Sequence, residues 1–161
     1  MLRSILAVVV GYVVMAALVM LTFTPAFFAP ELVFETHGIG VTLPFMVFTL
    51  AMGGVAAVLG GFVAARVASR RAWPALLALV AIVFVFGITS AVHGLFQVPP
   101  TVSVEEVARM TPMEKAAIGR EPVWYAFLLP FLGSAGILAG GWLAARRGRS
   151  AALPPDQMNR T

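Results

Sequence analysis

Four stretches of this chain, residues 5–28, 42–65, 74–93 and 123–145, are built almost wholly of apolar side chains and contain no Asp, Glu, Lys or Arg. A helix rises about 1.5 Å per residue, so about 20 residues cross a hydrocarbon core of roughly 30 Å. Each stretch is long enough. With 60% hydrophobic and 11% charged residues in 161, the chain is far from the composition of a water-soluble domain. The residues therefore predict an all-α integral membrane protein, a single membrane domain over residues 1–161. Its four transmembrane helices form two tandem hairpins.

The ends of the spans carry ordinary boundary signals. Arg3 precedes the first, which is read as a retained helix and not a cleaved signal peptide because the apolar run is too long for a signal core. Pro25 and Pro30 end or bend it. Thr42 reads as the N-cap of the second span, with Pro44 in its first turn. Trp73 marks an interface, Pro74 opens the third span, and Trp124 with Tyr125 forms an interfacial pair at the start of the fourth. Pro130 is expected to kink the fourth span near Ala126 and Phe127. In the loop 94–121, Ser103 with Glu106 and Thr111 with Glu114 have capping-box spacing, which predicts two short helices lying at the membrane surface.

Counting cations gives an orientation. Arg3, Arg66, Arg70, Arg71, Arg146, Arg147, Arg149 and Arg160 fall on the side of both termini, against Arg109, Lys115 and Arg120 on the other. Six of the seven acids share that second side. By the positive-inside rule both termini, including the tail 146–161, are cytoplasmic and the capped helices extracytoplasmic, as in a multi-pass protein of a bacterial inner membrane. The net charge of +4 is thus a topology signal, with Arg66, Arg70, Arg71, Arg146, Arg147 and Arg149 placed to meet anionic lipid head groups. Neither aromatic interleaving nor a phosphate-binding loop points to nucleic acid.

Spans two and four contain an internal repeat. Residues 53–66 and 133–146, 80 apart, agree at six of fourteen positions and share the ending Gly-Gly-aromatic-aliphatic-Ala-Ala-Arg. Gly53, Ala56, Gly60 and Ala64 lie along one stripe, and Gly133, Gly136, Gly140 and Ala144 along its counterpart. Lipid is as apolar as leucine, so helices in a membrane associate by close packing, and small-xxx-small stripes permit it. The stripes predict a helix-packing seam between spans two and four, and the shared orientation of the copies predicts a pseudo-two-fold axis along the membrane normal. The same stripes would also suit docking of a second chain.

Little here carries chemistry. Proton relays, ion-coupled carriers and voltage sensors place ionisable groups at membrane depth, and these spans have none of the four charged types. Thr22, Thr24, Thr49, Thr89, Ser90 and Ser134 are hydroxyls suited to bonding a carbonyl one turn back. Absence of cysteine removes disulfides and thiolate sites. His93, at the outer end of span three, and His37, beside Glu31 and Glu35, are the candidates for a polar site, with interfacial histidines as the structural alternative. Their spacing matches no metal or haem motif, so no metal and no cofactor is expected.

The start Arg3 to Ala7 and the two Gly-Gly-[Phe/Trp]-[Val/Leu]-Ala-Ala-Arg endings resemble small uncharacterised four-span bacterial inner-membrane proteins. That resemblance implies no activity. The residues favour a non-catalytic accessory or structural subunit of a larger membrane protein complex, with lipid and other transmembrane subunits as partners. A small transporter or channel for a neutral or apolar solute is the second reading; an outer-face lipid-modifying enzyme using His93 or His37 is the third. A cavity lined by Thr49, Thr89 and Ser134 would favour transport, and a solid glycine seam would oppose it.

Overall fold

The computed structural model describes residues 2–24, 28, 33–34, 40–68, 72–97, 102–111, 114, 118 and 121–150. Among the described residues five helices run in order: α1 (Leu2–Thr22), α2 (Leu43–Ala68), α3 (Ala72–Phe96), α4 (Val104–Arg109) and α5 (Val123–Ser150). All but α4 are long and apolar enough to cross a membrane.

Helix boundaries follow local chemistry. α1 stops at Thr22, six residues before the end expected from hydropathy. There the Thr22 hydroxyl donates to the Leu18 carbonyl (2.9 Å), and Phe23 and Thr24 close tight turns onto Met20 and Leu21. Pro25 follows, and the residue before a proline is pushed out of the helical region. α2 starts after Thr42, whose carbonyl accepts from Met46 N (3.0 Å) and whose own N–H donates to Val33 O (2.9 Å). Phe34 and Val41 form an isolated antiparallel bridge beside it, and Val33, Phe34 and Phe45 make a small apolar cluster. α4 has the expected capping box: Glu106 N donates to Ser103 Oγ, and Ser103 N to the Glu106 carboxylate. Thr111 and Glu114 make the same reciprocal pair, although most of the helix expected after them lies outside the described residues. α5 continues through Pro130 and runs past residue 145, so Arg146 and Arg147 are helical.

α2 and α5 form the central pair. α1 lies mainly on α2 and α3 mainly on α5, with α3 also touching α2 and α1. The core is small-residue rather than bulky: Ala57, Ala64, Ala65 and Ala144 surround Leu76, Leu79 and Ile137. Large apolar side chains point outward instead, with Met20 77% and Phe86 74% exposed. Such surface is unfavourable in water and ordinary in hydrocarbon, so the burial pattern agrees with a membrane as solvent.

The ends of the bundle differ. Ala7, Ala68 and Ala75 bring the start of α1, the end of α2 and the start of α3 together, and Arg147 of α5 reaches Phe62 of α2 at the same end. At the opposite end Phe23 meets Phe45, and Thr49 meets Tyr125. These are called the arginine end and the loop end below.

Candidate functional site

The glycines of α2 and α5 meet backbone. A Cβ on Gly140 would collide with the Val58 carbonyl and lie 2.8 Å from Phe62 N, and one on Gly61 would collide with the Ile137 carbonyl. On Gly136 it would come within 2.7 Å of the Ala57 Cβ. No solute passes between helices this close. The α2 face toward α5 is thus Ala57, Val58 and Gly61, and the α5 face toward α2 is Gly136, Ile137 and Gly140.

The stripe expected on α2 divides between partners. Gly60 faces α1, where its Cβ would strike Met15 and come within 2.9 Å of the Gly11 carbonyl. Gly11 in turn has Ala64 Cβ at 2.9 Å. Ala56, Ala64 and Ala144 are buried, whereas Gly53 has nothing within 4 Å of its Cβ position and Gly133 has Val83 at 3.3 Å. Gly141, outside the expected stripe, meets Leu76 of α3. Each Gly-Gly pair therefore serves two helices, in opposite order. The first glycine of α2's pair faces α1 and the second faces α5; in α5 the first faces α2 and the second faces α3.

Hydroxyls within the bundle bond locally. Ser134 donates to Pro130 O (2.7 Å), and Thr49 reaches the Phe45 and Met46 carbonyls at 3.0 Å each. Thr49 also shares a hydrogen with the Tyr125 phenol at 2.5 Å, tying α2 to α5. Tyr125 is buried and stacks edge-on against the exposed Trp124. At the arginine end, Arg146 lies over the Trp142 ring at 3.5 Å, and Arg66 and Arg147 both approach Phe62 (5.1 and 5.7 Å). Cation–π contact thus orients three of the expected lipid-facing arginines. Arg70 and Arg71 lie outside the described residues, and nothing is described of the Arg149 side chain.

His93 is exposed in the last turn of α3, and His37 lies outside the described residues. Among the described residues no three His, Cys, Asp or Glu side chains gather to hold a metal. A cavity lies elsewhere, between α3 and α5 at the loop end, with a volume of about 480 Å³. Ser90, Gln97 and Glu121 line it together with apolar residues such as Val83, Leu95 and Leu129; Thr49, Thr89 and Ser134 do not. Glu121 is exposed as a residue, yet protein packs closely enough about its carboxyl that burial raises its pKa.

No known protein family, curated protein or solved structure matches this chain.

Sequence reasoning missed the cleft, although part of its signal was present. Gly87, Ser90, Ala91 and Gly94 form a third small-residue stripe, at helical spacing on α3. Gly87 closes against Pro130 of α5, its Cβ position 2.7 Å from Pro130 Cγ, whereas Gly94 faces open space. Gly11, the one glycine of the first apolar stretch, was a comparable clue to the α1–α2 contact.

Proposed function

We propose that this chain is a non-catalytic accessory or structural subunit of a larger membrane protein complex, placed in a bacterial inner membrane with both termini cytoplasmic. The observation that carries this reading is the closed seam. Gly61 against Ile137 and Gly140 against Val58 leave no space between α2 and α5, and the Thr49 and Ser134 hydroxyls are engaged by neighbours. A conduit would need the opposite arrangement. The transporter or channel reading is correspondingly weaker, and His93 has no described acid or metal cluster to serve an enzyme.

The tandem-hairpin repeat belongs to this proposal. Facing residues Ala57, Val58 and Gly61 correspond to Gly136, Ile137 and Gly140 by a shift of 79 residues (136 − 57, 137 − 58, 140 − 61), one less than the 80 that aligns the matching sequences. A duplicated hairpin whose second copy has turned by one residue, about 100° on a helix, accounts for the exchanged glycine roles. The stacked arginines lie on the cytoplasmic side in this placement, and α4 on the outer side.

The test is extraction of native membranes in mild detergent, size separation, and mass spectrometry of what co-migrates. Reproducible protein companions at the size of a large assembly are expected. Migration of the chain alone, as a monomer or small homo-oligomer, overturns the accessory reading.

A further inference from the structure

The cleft between α3 and α5 is polar at one end only. Gln97 and Glu121 stand at its mouth, at the end of α3 and just before α5. Ser90 lies two turns deeper, and at the floor Gly87 closes on Pro130. From Gly87 to Gln97 a helix rises roughly 15 Å at about 1.5 Å per residue, so the slot reaches from the interface to about the middle of a core roughly 30 Å thick. Gly94, between mouth and floor, has no atom of another described element within 4 Å of its Cβ position, so among the described residues the space in front of it is open.

We propose that this cleft binds one acyl chain of a membrane lipid whose head group carries an ammonium, with the ammonium at the Glu121 carboxylate. Shape and charge both argue for it. The volume of about 480 Å³ lies within the range of roughly 300–1,000 Å³ usual for small-molecule sites. The walls below Ser90 are apolar, as an acyl chain requires, and among the described residues lining the cleft the charged side chain is an acid, Glu121, at the level of lipid head groups. An anionic head group would meet repulsion there. The burial that raises the Glu121 pKa also favours a cationic partner, since an ammonium restores the stability of the charged carboxylate. The proposal rests on the membrane placement given above and not on membership of a complex.

The test uses the purified full chain in nanodiscs of equal parts phosphatidylethanolamine and phosphatidylglycerol with matched chains. After transfer to mild detergent, retained lipid is quantified by native mass spectrometry. The parent should keep one lipid, enriched several-fold in phosphatidylethanolamine over the bilayer ratio. Glu121→Gln should keep the lipid but lose the enrichment. Gly94→Phe, whose ring would occupy the open space, should lose the lipid while its thermal transition stays at the parent value; Gly94→Ala, too small to block, should retain it. Equal retention of the two lipids by the parent, no retained lipid, or unchanged retention in Gly94→Phe overturns the proposal.

Discussion

Glu121 has one readily measured consequence at the residue scale. Burial raises its carboxyl pKa, so the folded protein holds that proton more tightly than the unfolded chain. The associated stability is fully present below the ordinary carboxylate pKa and is lost as pH rises through the raised one. Thermal stability of the parent should therefore fall over that window, and Glu121→Gln should flatten the fall; a parallel profile in the variant contradicts the assignment. Thr49 and Tyr125 support a second prediction. Because Thr49 keeps its bonds to Phe45 and Met46, Tyr125→Phe removes one inter-helix hydrogen bond without orphaning its partner, and should cost about 0.5–1.5 kcal/mol in reversible unfolding. The sequence marked Trp124 and Tyr125 as one interfacial pair. Residue type is legible there, but rotation is not: neighbours on a helix point about 100° apart. Trp124 therefore faces outward at 53% exposure while Tyr125, at 3%, turns toward α2.

Among the elements, packing partners separate glycines that look alike in sequence. Gly140→Leu should destabilise the bundle by roughly 1–3 kcal/mol through overpacking against Val58 and Phe62. Gly53→Leu, with nothing within 4 Å, should be close to neutral. Unfolding of the two variants in the same detergent checks this, and equal effects contradict the seam. The helices themselves were legible from uninterrupted apolar runs, and α4 from its capping spacing. Their ends were less so, because hydropathy continues through Phe23 while Pro25 and the turns onto Met20 and Leu21 end α1 earlier. The division of each Gly-Gly pair between two partners was not legible, since the 80-residue match preserves both glycines and conceals the exchange of their faces. The cleft stayed hidden for a related reason. It arises from the distance between α3 and α5 above the Gly87–Pro130 contact, and no single helix encodes that distance.

For the whole molecule, small residues fill the α2–α5 seam and large apolar ones cover the outside, so the proposed subunit would meet other transmembrane subunits at that outer surface. That conclusion stands on the α2–α5 seam being internal. The natural absence of cysteine allows a clean measurement in native membranes: a protein carrying Ala57→Cys and Gly136→Cys, treated with a mild oxidant. The Cβ positions are 2.7 Å apart, so a disulfide needs only a small widening toward its usual Cβ separation of about 3.8 Å. The account predicts a disulfide within one chain, and no linked dimers from either single variant. Linked dimers from a single variant, or failure of the double variant to cross-link, would place the glycine faces between molecules and contradict a closed internal seam.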